Sequence, residues 1–220
     1  MSIHRVLVVV GCVAVLAACS SGKGSDSASA DIAKISEVKS SFGPDFKVTE
    51  VPPTGIDQKM LANQKLPQTL KFDPADCVEF AKGQVIPDDT KGNMAAVSAE
   101  GEGTRFITIA METSNEIPLK APADNCKKVS FAGGALRGTV ESVPAPNIDG
   151  VNTQGVHRVL QTTINNKPQT GEVYSYLAQF GNYQVMVTAN PLVLPDKPVV
   201  PVDTKRAESL LTEAVKAIKN

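Results

Sequence analysis

The clearest alternation of apolar and polar residues lies in the last third of the chain, in "EVYSYLAQFGNYQVMVTA". Two alternating runs, residues 172–180 and 183–189, flank the pair Gly181 and Asn182. Strict alternation is typical of a strand that buries one face, and a Gly/Asn pair favours a two-residue hairpin turn. The pattern therefore predicts a β-hairpin over residues 172–189.

Five further runs of alternating or β-branched residues predict more strands. They cover residues 46–51, 94–100, 105–113, 137–143 and 156–164. The turn sequence "GEG" joins the second and third of these runs into another hairpin. Between the first two runs the chain is predicted to be irregular over residues 54–70, with one helical turn near residues 57–63.

Helical spacing of apolar residues marks both ends of the folded part. Residues 32–42 show this spacing and are followed by Gly43 and Pro44, which favour the end of a helix. Residues 204–219 follow Asp203 and end in lysines, a charge order that matches the helix dipole. Their apolar stripe consists of Ala207, Leu210, Leu211, Ala214, Val215 and Ile218.

Two short helices are predicted in the middle of the chain. The segments "PADC" and "PADNC" echo each other, and proline is favoured in the first turn of a helix, where its missing N–H is not needed. Asp73 is the candidate N-terminal cap of the first of these helices, and Gly83 is its candidate end.

Consecutive hairpins with helices at their margins predict an α+β fold. About 190 residues follow the first 30, a length that fits one domain. We therefore expect residues 31–220 to form a single extracytoplasmic domain. It should contain a twisted antiparallel sheet, peripheral helices and an amphipathic C-terminal helix.

The N-terminal residues have the pattern of an export signal. Arg5 precedes an apolar run of about 13 residues, which is shorter than the roughly 20 that a membrane span needs but fits a signal peptide. The run ends in "LAAC", which resembles the bacterial lipobox. The resemblance implies that residues 1–18 are a signal peptide, that cleavage follows Ala18, and that Cys19 is diacylated. An ordinary signal peptide with an incidental cysteine is the alternative.

Residues 19–30 are predicted to be a flexible tether after the lipidated cysteine. Serine and glycine dominate this segment, and large apolar residues are absent from it. Eleven flexible residues have a root-mean-square reach on the order of 20 Å. The domain is therefore expected just off the outer face of the cell membrane.

Two cysteines remain in the folded part once Cys12 leaves with the signal peptide and Cys19 is lipidated. In an exported domain, Cys77 and Cys126 are expected to form a disulfide. The closed loop of about 50 residues would stabilise the domain by roughly 4 kcal/mol in the chain-entropy model. A metal or redox pair is the alternative, although the spacing is not CxxC and no histidine lies nearby.

Charge and composition narrow the possible partners. Removal of Arg5 lowers the 22 basic residues to 21, against 23 acidic residues. A nearly neutral domain without a basic cluster argues against nucleic acid and against electrostatic binding to anionic lipid. We expect the membrane to be reached through Cys19, and we expect a lipid, small-molecule or envelope-protein partner.

The chemistry-bearing residues form no catalytic pattern. The chain without its signal peptide has one histidine, His157, in "GVHRVLQTTI", and a single histidine on a strand is most often a partly exposed sheet residue. A nucleophilic site would need a serine and an acid beside His157, and the chain has no GxSxG motif. The glycine pairs lack the phosphate-binding fingerprints, and the acidic residues lack calcium-loop spacing. We predict no enzyme activity, cofactor or metal, with a hydrolase as the alternative.

Five segments resemble those of a group of mycobacterial lipoproteins that share one uncharacterised domain. They are "ISEVKSSFGPDFKVTEVPPTGI", "FDPADCVEFAKG", "GNMAAVSAEGEG", "FAGGALRGTVESV" and "FGNYQVMVTANPLV". The resemblance spans nearly all of residues 31–220, and it implies export and anchoring but no reaction. The layout is more distantly similar to the extracellular sensor domain of the PknH receptor kinase, which has two disulfides where this chain has cysteines for one.

Two functions remain in competition at this stage. The first is a ligand-binding lipoprotein, a sensor or carrier that holds an envelope lipid or small metabolite between the sheet and the helices. The second is an interaction module that binds another envelope protein through an exposed face. An apolar cleft would favour the first function, and a contiguous exposed apolar patch would favour the second.

Overall fold

The structure, a computed structural model, describes residues 30–56, 66–67, 69–84, 86–87, 89–164, 167–193 and 198–220. The predicted signal peptide, Cys19, the tether up to residue 29 and the predicted helical turn at 57–63 lie outside the described residues. Among the described residues, no helix combines the length and the apolar character that a membrane crossing requires.

The described part of the chain contains nine strands and five short or medium helices. The strands are β1 (Lys47–Gly55), β2 (Lys71–Asp73), β3 (Gly92–Gly101), β4 (Thr104–Thr113), β5 (Lys128–Gly133), β6 (Leu136–Val143), β7 (Asn152–Ile164), β8 (Lys167–Phe180) and β9 (Tyr183–Pro191). The helices are the 3₁₀ helices η1 (Ile32–Ser41), η2 (Ala75–Cys77) and η3 (Asp124–Cys126), and the α-helices α1 (Val78–Lys82) and α2 (Thr204–Lys219).

All nine strands belong to one open antiparallel sheet. Their order across the sheet is β1-β3-β4-β9-β8-β7-β6-β5-β2. The prediction of an antiparallel sheet with a C-terminal helix is confirmed, and the fold contains more strand and less helix than an even α+β mixture. The hairpin turn at Gly181 and Asn182 joins β8 to β9, as its sequence predicts.

Several local predictions were wrong or incomplete. The strand predicted to end before Pro52 continues to Gly55, because β1 is an edge strand and a register shift after Val51 accommodates the prolines. Strands β2 and β5 were not predicted. Strand β2 has three residues, and β5 ends at Gly133 beside a turn, so neither gives a long alternating pattern.

The two predicted cysteine helices are shorter than expected. The second is the single 3₁₀ turn η3, and Asp73 lies in β2 rather than capping the first. Pro74 stands at the N-cap of η2 without a side-chain hydrogen bond. Gly83 does end α1: its φ is 81°, and its N–H donates to the carbonyl of Phe80. Glycine is favoured there because this backbone conformation strains other residues.

One face of the sheet is covered by α2 and η1, and we call it the α2-side face. Helix α2 packs its predicted stripe against β4, β8 and β9, and η1 packs beside it. Asp203 caps α2 by accepting a hydrogen bond from the N–H of Arg206 at 2.9 Å. The fully buried side chains of this layer include Ile35, Phe106, Tyr176, Leu210, Leu211 and Ile218.

The opposite face carries the cysteines, and we call it the disulfide-side face. Over β5–β7, a cluster that includes Cys77, Ala81 and Cys126 packs on Val129 and Val140. Over β3, β4 and β9, a second apolar layer meets irregular segments of the chain. This second layer contains Ile86, Met94, Ala96, Ile109, Met111 and Met186. Thus α2 and η1 cover one half of the sheet on the α2-side face, and η2, α1 and η3 cover the other half on the disulfide-side face.

The predicted disulfide is present. Cys77 and Cys126 are bonded and nearly inaccessible, and 49 positions separate them in the sequence. The bond joins η2 to η3 and so holds these two short elements together over the disulfide-side face. Because neither element exceeds three residues, the covalent link supplies an attachment that helical hydrogen bonding cannot.

Replacing both Cys77 and Cys126 by Ala should lower the free energy of unfolding by roughly 4 kcal/mol, because the open chain gains loop-closure entropy when unfolded. Urea unfolding of the variant beside the wild-type protein, with and without reductant, measures this. A loss below about 1 kcal/mol would show that the bond contributes little beyond the packing around it.

Thr108 is a polar exception in the α2-side layer. Its hydroxyl is buried without a hydrogen-bond partner, between Val97 on β3 and Val187 on β9. Thr108→Val should therefore raise the free energy of unfolding by about 1 kcal/mol, because it removes an unsatisfied group and keeps the shape. Thr108→Ser, which keeps the hydroxyl and loses a methyl group, should lower it. A Thr108→Val protein less stable than wild type in urea unfolding would contradict this reading.

Candidate functional site

His157 lies on the α2-side face, beyond the part that α2 covers. Its Nε2 atom is 2.9 Å from an oxygen of Glu172, and its ring stacks on that of Tyr174 with centroids 4.0 Å apart. Glu141 is its neighbour on β6, and Lys128 on β5 lies next in the same row at 3.6 Å from Glu141. The side chain of His157 is 19% exposed, so the histidine is the partly exposed sheet residue that the sequence predicts.

The His157 row does not assemble the parts of a hydrolase in the described structure. The acid that such a site needs is present as Glu172, but the polar contact of the ring is with this carboxylate and with no described serine. Nucleophilic catalysis requires a nucleophile within hydrogen-bond reach of the base. The row is a polar, solvated part of the sheet.

The space between the sheet and α2 is filled by side chains. Leu210, Leu211 and Tyr176 lie in that interface and are at most 2% exposed. Two shallow depressions, of about 450 and 510 Å³, lie on the outer side of α2 around Lys205 and Ser209. The place where the sequence led us to expect a ligand, between sheet and helix, is therefore a packed interface.

Arg158 is the unexpected residue of the disulfide-side face. It follows His157 in β7, so its side chain points to the opposite side of the sheet. One terminal nitrogen donates to the carbonyl of Ala81 at 3.1 Å, while Nε is buried and has no partner. Burial lowers the pKa of its guanidinium below the usual range. Among the described residues, this guanidinium takes part in no ion pair.

The surroundings of Arg158 are apolar and closely fitted. Val140 and Val173 are its direct neighbours on the adjacent strands. At the end of α1, a Cβ on Gly83 would lie 3.4 Å from a terminal nitrogen of Arg158, an ordinary van der Waals distance, so Gly83 packs directly beside the guanidinium. The carbonyl end of a helix favours a cation, which explains the contact with Ala81. It does not explain a buried Nε without an acceptor.

The apolar layer over β3, β4 and β9 continues from Arg158 across the same face. Val173, beside Arg158, and Leu177, four positions further along β8, point to the same face, and Leu177 pairs with Met186 on β9. Leu177 and Ile107 are half-buried, and both pack against the buried layer of Met94, Met111 and Met186. Arg158 and a buried layer that contains three methionines thus lie on one face of the sheet.

Two buried glutamines hold the chain segment that borders this layer. Gln184 donates to the carbonyl of Ile117 at 2.7 Å, and Gln179 donates to a carboxylate oxygen of Glu116 at 2.8 Å. Both glutamines are at most 4% exposed, and Ile117 packs on the layer. Buried amides with satisfied hydrogen bonds fix the geometry of what they hold.

The sequence contained a signal for Arg158 that our sequence reading did not use. In "GVHRVL" the alternation Val156, Arg158, Leu160 puts an arginine in the apolar register of a strand. The cluster of Asp76, Cys77 and Cys126 has metal-ligand residue types within the described residues, but both sulfurs are used by the disulfide.

Comparisons with known proteins place this chain beside domains of similar sequence and shape. A family model described as "Domain of unknown function (DUF5642)" matches residues 31–219. A crystal structure of an uncharacterised Rv0999 ortholog from Mycobacterium smegmatis is 57% identical, with a TM-score of 0.83. The similarity covers 88% of this chain and 99% of that one. No curated protein matches the sequence.

The burial of Tyr176 beneath α2 makes the free energy of unfolding depend on pH in the alkaline range. Its burial, and then the nearby carboxylate of Glu208, raise the pKa of the phenol above its ordinary value of 10.0. The unfolded chain loses this proton near pH 10 while the folded protein keeps it, so the free energy of unfolding falls as pH rises above about 10. Tyr176→Phe should reduce this fall, measured by urea unfolding near pH 8 and pH 11. A variant with the full alkaline loss would contradict the assignment.

Proposed function

This chain belongs to the DUF5642 family, whose model matches residues 31–219, and we propose that it is the ligand-binding domain of an exported lipoprotein. In this proposal residues 1–18 are removed, diacylated Cys19 anchors the chain to the outer face of the cell membrane, and residues 19–30 are the tether. The domain senses or carries an envelope lipid or a small metabolite. It performs no reaction and uses no cofactor.

The observation that supports ligand binding is the buried Nε of Arg158. A buried polar group without a partner destabilises a protein by roughly 1–3 kcal/mol, and more when it is charged. A guanidinium binds carboxylate and phosphate through paired hydrogen bonds, so an anionic group would satisfy the free N–H once the atoms that cover Nε moved aside. We therefore assign Arg158 to the anionic part of the ligand.

The apolar part of the ligand belongs on the surface that runs from Arg158 towards the methionines. Val173, Leu177 and Ile107 are half-buried there, so they offer apolar area that remains reachable from solvent. An amphiphile with an anionic head and a hydrocarbon tail matches this arrangement better than a cation or a sugar does.

This position differs from the one that the sequence led us to expect. A ligand between α2 and the sheet would have to displace fully buried side chains such as Leu210 and Tyr176. Large-to-small changes in such cores cost about 2–5 kcal/mol, which indicates how strongly the interface resists opening. On the disulfide-side face Val173 and Leu177 are already half-exposed, so a ligand there has to displace only the atoms that cover Nε of Arg158.

Mass spectrometry of an organic extract tests this assignment. Residues 20–220, purified without detergent from Mycobacterium smegmatis, should release an anionic lipid or metabolite at about one molecule per protein, since the proposed site at Arg158 takes one ligand. Arg158→Met should reduce the yield at least about tenfold, because the removed ion pair is worth more than 1.4 kcal/mol.

Arg137→Met is the matched control. Arg137 lies on β6, is exposed and donates to Gln161 at 3.0 Å, so its loss removes the same charge without touching the proposed site. This control should keep the wild-type yield. Equal yields from all three proteins, or a bound molecule without an anionic group, would contradict the proposal. If Arg158→Met folds poorly, Arg158→Lys replaces it in the test. This variant keeps the charge and should give an intermediate yield.

The interaction module remains the second candidate function. A different observation favours it, the free edge of strand β8, and that edge is independent of Arg158.

A further inference from the structure

Strand β8 extends beyond the strand that pairs with it on one side. It pairs with β7 along its whole length, from Lys167 opposite Ile164 to Gln179 opposite Asn152. Its pairing with β9 stops at Tyr174 opposite Ala189. Residues 167–173 therefore lack a neighbouring strand on the β9 side, within the described part of the chain.

Pro191 explains why β9 leaves β8 at this point. Two positions beyond the last pair, Pro191 would stand opposite Glu172. Proline has no N–H to donate, so it cannot continue the ladder. Strand β9 instead stays with β4, where Pro191 is opposite Thr104, and Leu192 donates to the carbonyl of Gly103 at 2.8 Å.

The register shows which backbone groups face the gap. Phe180 and Tyr183 close a two-residue hairpin, so they form a hydrogen-bonded pair, and every second residue of β8 then points its N–H and C=O towards β9. The same alternation, continued along β8, directs the backbone groups of Pro168, Thr170 and Glu172 away from β7 and into the gap. Their free groups are the N–H of Thr170 and Glu172 and the C=O of all three.

This edge is open to solvent. Residues 167–171 are all exposed, and Glu172 and Val173 are half-buried. Two residues beyond Pro191, Val193 is 72% exposed, the highest exposure among the large hydrophobic residues of the described chain. Unpaired strand edges readily accept another strand, and Val193 follows β9 shortly after β9 leaves β8.

We propose that the free edge of β8 binds an extended segment of another envelope protein, which adds one strand to the sheet at residues 168–172. Recognition is through the backbone: the segment accepts from the N–H of Thr170 and Glu172 and donates to the outward carbonyls. It carries no proline at those positions, and it places an apolar side chain against Val193.

A second copy of this chain on the same membrane fits the edge in one orientation only. A symmetric pair joined through one edge must be antiparallel, because parallel ladders are not two-fold symmetric. The backbone N–H of Asp31 donates to the carbonyl of Ile218 at 2.9 Å, and Nζ of Lys219 lies 5.6 Å from the ring centroid of Phe180, so the chain enters the domain at the far end of β8.

The distances define the orientation that a second copy would need. Thr170 is ten positions from Phe180, or about 33 Å along a strand. Two antiparallel copies would hold their tether ends about 66 Å apart in the strand direction. Because each tether has a root-mean-square reach on the order of 20 Å, two anchored copies can pair only with their strands along the membrane plane, whereas a segment of another protein has no such constraint. This step rests on the anchoring proposed above, whereas the free edge itself does not.

Photo-crosslinking in the full-length, lipidated protein tests the proposal. p-Benzoylphenylalanine replaces exposed Gln169 in Mycobacterium smegmatis cells, and a second protein carries it at exposed Lys216 on α2 as the positional control. The expected result is an adduct from position 169, absent from position 216, whose crosslinked peptide is a proline-free segment of one other protein. No adduct at 169, or an adduct with a second copy or with lipid, overturns the proposal.

Two substitutions at one position separate backbone from side-chain recognition. Thr170→Pro removes the outward N–H, and Pro168 in the same phase shows that this strand accommodates proline there. It should reduce the adduct at least about tenfold, whereas Thr170→Ala keeps the N–H and should change it less than about twofold. Equal adducts from both variants overturn the proposal.

Hydrogen exchange provides a measurement that does not depend on the proline variant. A synthetic peptide with the sequence of the crosslinked segment should slow the exchange of the Thr170 and Glu172 amides in the full-length protein by about tenfold or more. Unchanged exchange with the peptide at saturation overturns strand addition. Because Arg158→Met leaves the edge intact, this readout should survive in that variant even if the proposed ligand is lost.

Discussion

The pairing of β7 with β8 is the interaction on which the rest of the structure depends. It runs from Asn152 opposite Gln179 to Ile164 opposite Lys167 and joins the half of the sheet under α2 to the half under the disulfide. Each half is covered by helices on a different face. Successive residues of β7 therefore meet different surroundings, so that His157 lies among solvated polar groups and Arg158 among apolar ones.

The helices on the two faces are held to the sheet by different interactions. Helix α2 has a capped start, a complementary charge order and a wide apolar stripe, and it fills its interface with fully buried side chains. The elements η2, α1 and η3 are too short for such packing, and the Cys77–Cys126 bond joins two of them. The remaining apolar layer, with its methionines, is bordered by irregular segments that Gln179 and Gln184 hold through hydrogen bonds.

The parts of this fold that local sequence determines were predictable. The β8–β9 hairpin, the β3–β4 hairpin, the α2 stripe and the end of α1 at Gly83 each depend on a few neighbouring residues. The features that could not be predicted depend on residues that are distant in the sequence. Strand β5 shows only Val129 and Phe131 as buried positions, and the environment of Arg158 requires α1 to lie over β7. Pro191 was visible in the sequence, but its effect on β8 depends on the register between strands.

In our proposal the buried Nε of Arg158 binds an anionic group that the protein itself does not supply. A crystal structure of residues 20–220, purified from Mycobacterium smegmatis without detergent, is the experiment that decides this. We expect non-protein density with an anionic oxygen about 2.7–2.9 Å from Nε of Arg158, continuing along Val173 and Leu177. A carboxylate of this same chain bonded to Nε, with no other density beside it, would rule the proposal out.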